Sequence, residues 1–160
     1  MKAVYAGTFD PITLGHIDII TKARKIFGEI TIAVAKNNNK ISIFSPEKRV
    51  ENIQKALVEF NIRAEVVIFE GLLVDFMSQS NSGVIIRGLR AISDFEYEFQ
   101  MSCVNSRLNN KIETVFLPAK DDMHFVSSRM IKSIAELGGD ISQFVPKCIV
   151  GIMKDFYQQS

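Results

Sequence analysis

Tryptophan is absent from this 160-residue chain, and cysteine is nearly so: Cys103 and Cys148 are the only two. They lie far apart and in no C-x-x-C spacing. They read as buried apolar thiols of a reducing compartment, with a disulfide between them as the alternative. Charge of one sign is missing as well. Lys+Arg is 19, Asp+Glu is 18 and the net charge is +1, which argues against a general nucleic-acid binder. No apolar run approaches the roughly 18 residues of a membrane span. Met1–Ala6 is too short for the core of a signal peptide, and Asp10 follows soon after. The expectation is a cytoplasmic chain with no nucleic-acid and no membrane partner. Repeats, low-complexity tracts and linkers are also lacking, so residues 1–160 read as one domain. A chain this long buries roughly 70% of its unfolded surface and needs no staple. A hydrophobic fraction of 47% against 23% charged excludes a disordered chain.

What is there alternates. Strand-like runs occur at Lys2–Ala6, Glu29–Ala35, Glu65–Phe69, Val84–Arg87 and Glu113–Leu117. Helical spacing fills Ile17–Phe27, closed by Gly28, and a helix opened by Ser45-Pro46 that carries Val50, Ile53, Leu57 and Phe60. Further helices are expected at Leu72–Ser80, Asp94–Asn109, Ser127–Leu137 and Pro146–Tyr157, and a loop at Asn37-Asn38-Asn39. Such alternation predicts an α/β fold with a five-stranded parallel sheet and helices on both faces. Ligands then bind at the carboxyl ends of the strands, in the loops after the first, second and fourth.

The helix at Asp94–Asn109 carries two apolar stripes. Phe95, Phe99 and Cys103 form one; Tyr97, Met101, Val104 and Leu108 form the other. A helix apolar on two sides is expected to be buried on two sides, the second against another copy of the chain. This predicts a homo-oligomer.

The first loop reads Gly7-Thr8-Phe9-Asp10-Pro11-Ile12-Thr13-Leu14-Gly15-His16. Neither G-x-G-x-x-G nor a P-loop is present; Gly83 and Gly88 have the P-loop spacing, but Leu89 replaces its Lys. The loop still suits phosphate. Gly7 permits a turn off the strand, and Gly15 removes a side chain where backbone approaches a ligand. The helix beginning there aims its positive dipole end at the site. Thr8 and His16 add a hydroxyl and an imidazole. A capped helix with an incidental His is the plainer alternative.

The string is similar to the signature of the nucleotidyltransferase superfamily with the T/H-x-G-H motif, here Thr13-Leu14-Gly15-His16. Arg87-Gly88-Leu89-Arg90, Asp94-Phe95-Glu96-Tyr97-Glu98, the stretch from Phe125 to Lys132, Gly138-Gly139-Asp140 and Phe144-Val145-Pro146 extend the match over essentially the whole chain. Together they resemble the bacterial phosphopantetheine adenylyltransferase family. Arg129 departs from the Ser or Thr common at its position, and an Arg there could meet phosphate oxygens instead.

The resemblance implies a Rossmann-like, doubly wound sheet. It also implies reversible transfer of the adenylyl group of ATP to 4′-phosphopantetheine, giving dephospho-coenzyme A and pyrophosphate, with Mg²⁺ arriving with ATP and a homohexamer. His16, Thr8 and Lys40 would be catalytic. Thr8, Phe9, His16, Gly88, Leu89, Arg90, Glu98, Met123, His124, Phe125, Val126, Ser127, Ser128 and Arg129 would hold ATP. Thr8, Lys40, Leu73 and Arg87 would hold phosphopantetheine. No dedicated protein metal cage is expected. Duller readings stand beside these: Lys40 as a solvated loop residue, Arg87 and Arg90 in a structural salt-bridge set with Asp94, Glu96 or Glu98, and Ser127 as a helix cap. Relatives acting on nicotinamide mononucleotide or glycerol phosphate, and a nucleotide sensor without turnover, are the competing functions.

Overall fold

Strands and helices alternate through the computed structural model, which describes residues 2–36, 42–90, 92–123 and 126–158. The elements are β1 (Ala3–Gly7), α1 (Leu14–Phe27), β2 (Ile30–Ala35), α2 (Pro46–Glu59), β3 (Glu65–Phe69), α3 (Leu73–Gln79), β4 (Val84–Leu89), α4 (Ile92–Leu108), β5 (Glu113–Pro118), a 3-10 turn at Asp121–Met123, α5 (Ser128–Glu136) and α6 (Lys147–Gln158). The strands form one parallel sheet in the order β3-β2-β1-β4-β5. The chain steps outward from β1 through β2 and β3, then returns to the other side of β1 for β4 and β5. Tyr5 therefore pairs with both Ile32 and Ile86. The connections leave β1 and β4 in opposite directions, which opens a crevice at their carboxyl ends.

Alternation along the strands distributes side chains to two cores. Ala3, Tyr5, Ile32, Val34, Val84 and Ile86 point to one face, where α1, α2, α5 and α6 close over them with Ile20, Ile53, Ile131 and Ile149. Val4, Ala6, Ala33 and Ile85 point to the other, against Val74 and Met77 of α3. The end signals act as read. Ser45 Oγ accepts the Lys48 N–H at 3.2 Å, Ser127 Oγ accepts the Met130 N–H at 3.1 Å, and Gly28 closes α1 at φ 77°.

Two expectations are corrected. Cys103 is exposed and Cys148 half-buried, both as free thiols. And α4 buries neither apolar stripe within the chain: Tyr97 is 64% exposed, Phe99 51% and Leu108 58%. Its half-buried residues beyond the first turn are polar, Glu98, Ser102 and Asn105. Spacing locates apolar stripes but does not say which one meets the sheet. Here the sheet takes the polar side.

No described helix is long and apolar enough to cross a membrane.

Candidate active site

The crevice at the β1/β4 switch point is a cleft of about 700 Å³. Its floor is the β1–α1 connection. The left-handed residue there is Phe9, at φ 51°, rather than Gly7. A non-glycine residue in that region costs about 1–2 kcal/mol. The Phe9 ring folds back over Gly7, where an added Cβ would stand 3.1 Å from it, so Gly7 supplies room for the ring rather than a turn. At Gly15 a Cβ would meet only Thr13 Oγ1 at 3.5 Å and Met123 at 4.0 Å, both ordinary contacts. Among the described residues no neighbouring atom requires glycine at this spot. Gly88 is different, since a Cβ there would lie 2.9 Å from Ile19.

Helix α1 begins at Leu14, three residues earlier than spacing predicts, because Thr13 caps it. The Thr13 hydroxyl accepts the His16 N–H at 3.3 Å, and His16 Nδ1 accepts the Thr13 N–H at 3.0 Å. This is a capping box in which imidazole replaces the usual carboxamide or carboxylate. Its chemical consequence is a fixed tautomer. Nδ1 is an acceptor, so the neutral ring carries its proton on Nε2. Burial pushes the His16 pKa down to about 3, and the Arg90 and Arg87 charges push the same way. The edges of Phe9, at 5.0 Å between centroids, and Tyr5, at 6.3 Å, wall the ring. At neutral pH this site therefore holds an uncharged N–H donor at the start of a helix.

Cations come from the end of β4. Arg87 donates from Nε to Glu98 Oε2 at 2.7 Å, from Nη2 to Glu98 Oε1, and from Nη1 to the Ala6 carbonyl at 2.6 Å. The salt-bridge reading thus applies to Arg87, with Glu98 of α4 as its partner. Both Glu98 oxygens are occupied by this fork. The bonds still leave one N–H on each terminal nitrogen of Arg87. Arg90 donates from Nη1 to the Val126 carbonyl at 3.2 Å and so ties β4 to the start of α5. There Ser127 caps the helix, and Ser128 Oγ donates to the Pro11 carbonyl at 2.8 Å. Ser127 is a cap, as its duller reading has it, and it also lines the cleft.

Thr8, Phe9, His16, Arg87, Gly88, Arg90, Glu98, Val126, Ser127, Ser128 and Arg129 all line this one cleft. Leu73, Leu89 and Met123 do not; Leu73 packs at the edge of the second core. Lys40, His124 and Phe125 lie outside the described residues, as does the expected Asn37–Asn39 loop.

Asp10 and Lys132 stood in matched stretches of the sequence without being given a role, and Arg49 was not singled out at all. Asp10 is buried and accepts the Ile43 N–H at 2.9 Å, the Phe44 N–H at 3.1 Å and the Lys132 ammonium at 3.1 Å. Arg49, equally buried, donates to the carbonyls of Thr8 at 2.7 Å, Ala35 at 3.0 Å and Phe44 at 3.2 Å. One signal was available: Arg49 stands four residues before Ile53, on the apolar stripe of α2, where a charge needs buried partners.

A protein-held metal is not favoured by this donor set. Among the described residues no three His, Cys, Asp or Glu converge, and the two acids of the cleft already hold Lys132 and Arg87.

Residues 4–134 match the family model described as cytidylyltransferase-like. Among curated relatives, a phosphopantetheine adenylyltransferase of Legionella pneumophila (strain Lens) is 48% identical over 153 residues, covering 96% of this chain and 89% of its own length. One from Wolbachia pipientis wMel is 51% identical over 144 residues, covering 90% and 86%. One from Geobacter metallireducens is 46% identical over 157 residues, covering 98% and 96%. Among solved structures, a Vibrio parahaemolyticus protein provisionally described as a nicotinate-nucleotide adenylyltransferase superposes with a TM-score of 0.68 at 13% identity, covering 95% of this chain and 97% of its own. A lipopolysaccharide core biosynthesis protein from Thermoplasma volcanium GSS1 gives 0.57 at 22% identity, covering 76% and 98%. At those identities the two structures speak to the fold alone.

Proposed function

The chain belongs to the phosphopantetheine adenylyltransferases of the cytidylyltransferase-like family, and from that premise we propose the following reaction and division of labour at the cleft. The phosphate of 4′-phosphopantetheine attacks the α-phosphorus of ATP. A new P–O bond forms, the bond to the β-phosphate oxygen breaks, and pyrophosphate leaves with the electron pair, giving dephospho-coenzyme A. The nucleophile is already an anion at neutral pH, so no general base is needed. The difficulty is bringing two polyanions together while charge develops on the transferring group. Catalysis is then positioning and electrostatic stabilisation.

The fixed tautomer of His16 is the observation that carries this reading. A neutral Nε2–H at the start of α1 suits an α-phosphate oxygen whose charge grows in the transition state. Thr8 orients the attacking phosphate. Arg87, held rigid by Glu98, and Lys40 grip that phosphate, and Leu73 borders the pantetheine arm. Arg90 and the Ser127-Ser128 start of α5 take the phosphates of ATP, with Arg129 beside them. The bare Gly15 leaves the helix end open to the nucleotide. Mg²⁺ enters as part of the Mg-ATP substrate and keeps mostly water ligands. The working form is a homo-oligomer through the apolar outer side of α4, for which the resemblance implies a hexamer, and the compartment is the cytoplasm.

The test is pyrophosphate release from ATP with a panel of acceptors. Release with 4′-phosphopantetheine, and none with nicotinamide mononucleotide or glycerol phosphate, is expected. Release with either of the latter alone would replace the substrate assignment, and ATP binding without release from any acceptor would favour a sensor.

A further inference from the structure

A carboxylate in the wall of a cleft meant for polyanions needs explaining, because at such a site it repels the ligand. Asp10 is that carboxylate. It is 2% exposed and lines the cleft. Its oxygens are spent on the backbone N–H groups of Ile43 and Phe44 and on the Lys132 ammonium. The two amide bonds fix the carboxylate in place. Arg49 fixes the same segment from its other side, bonding the Phe44 carbonyl while also holding the Thr8 carbonyl at the cleft floor. The carboxylate is therefore an immobile anion, and Lys132 is docked on it.

Lys132 follows Ser128 by four residues on α5, so the two share a helix face, and both line the cleft. Its side chain keeps 24% exposure, and an ammonium bonded to one carboxylate oxygen has further N–H groups to offer. A lysine stem left to itself samples many rotamers. One pinned at its tip presents its charge at a single place without that entropy cost at the moment of reaction.

We propose that Asp10 is a positioning residue for the transfer. It acts by pinning the Lys132 ammonium at the cleft wall, where that cation meets the phosphates of the nucleotide. The inference rests on the reading of this cleft as the adenylyl-transfer site. Asp10 need not touch substrate; its negative charge is tolerated because Lys132 and the nearby Arg49 guanidinium offset it.

The test is a double-mutant cycle on kcat with Asp10→Asn and Lys132→Met, with the thermal midpoint of each variant measured alongside. Each single change is expected to lower kcat by about ten- to a hundredfold, the scale of a misplaced catalytic group. The double variant should fall no more than about threefold below the worse single one, because both changes remove the same pinned charge. Multiplying losses, or an unchanged kcat in either single variant, would overturn the proposal. A purely structural Asp10 would lower the thermal midpoint and leave kcat per folded molecule intact. If Asp10→Asn does not fold, Lys132 carries the test. Lys132→Met must lose turnover at native stability and Lys132→Arg must recover most of it, and failure of either overturns the proposal. His16→Ala is run in the same assay. If it too keeps full turnover, the reading of the cleft itself fails; if it is inactive while the Asp10 and Lys132 variants are not, only this inference fails.

Discussion

On one face of the sheet, α1, α2, α5 and α6 close over Ile20, Ile53 and Ile149, side chains without accessible surface. On the other, α4 lies along β4 and β5 with Glu98, Ser102 and Asn105 half-buried and with Tyr97, Phe99 and Leu108 turned outward. Both faces place groups in the same cleft, but in different ways. The closed face presents Phe9, His16 and Ser128 from a packed core, where position is set by the burial of everything beneath. The open face presents Glu98, and through it the orientation of Arg87, from a helix that leaves most of its apolar residues exposed, with Phe95 packing edge-on against Phe116 of β5. The lesson is that most of the site rests on the packed sheet and its buried helices, while Glu98 and its fork with Arg87 come from a helix with little apolar burial of its own.

Truncating one apolar side chain on each face to alanine separates the two most strongly. Ile53→Ala is expected to destabilise the isolated chain by about 2–5 kcal/mol, through lost burial and the cavity left behind. Tyr97→Ala should change the same chain by less than about 0.5 kcal/mol, while weakening self-association. Denaturant unfolding, run at concentrations that dissociate any oligomer, checks both. Within the cleft, His16→Ala should lower kcat by at least about a hundredfold, as expected for losing one preorganised donor. The Kd for ATP should move much less, because the contact strengthens in the transition state. Equal losses in both would remove His16 from that role. On the open side, Glu98→Asp keeps the charge but withdraws it from the Arg87 fork. The KM for phosphopantetheine should rise about tenfold, as a bidentate clamp becomes a loose pair, with a smaller change in kcat.

Legibility divides along similar lines. Strands were readable because β-branched runs such as Ile30–Ala35 and Val84–Ile86 are bounded by turn residues. Caps were readable because Ser45-Pro46 and Ser127 carry their own chemistry. The start of α1 was misplaced because the third residue of its capping box is a His, not a Glu or Gln. The same substitution makes the cap part of the candidate site. The stripe facing inward on α4 was not readable, since periodicity is blind to what a sheet offers. Arg87, Arg90 and Ser128 were legible as cleft residues from the family motifs that carry them and from their places at the carboxyl end of β4 and the start of α5. Asp10 and Lys132 were not, for their meaning lies in a contact across 122 residues of sequence.

His16 also makes a claim about pH. Its folded-state pKa lies below the ordinary value, so the neutral form is the native one. The unfolded chain binds a proton near pH 6.5 that the native state refuses until about pH 3. The associated stability is present above the unfolded value and is lost as pH falls through that window.

Nitrogen-15 NMR of the free protein reads this directly, since the chain has two histidines and His16→Ala assigns them. The account predicts that from pH 8 down to pH 5 His16 keeps an unprotonated Nδ1 and a protonated Nε2. A His16 that titrates near 6.5, or that carries its proton on Nδ1, would contradict it.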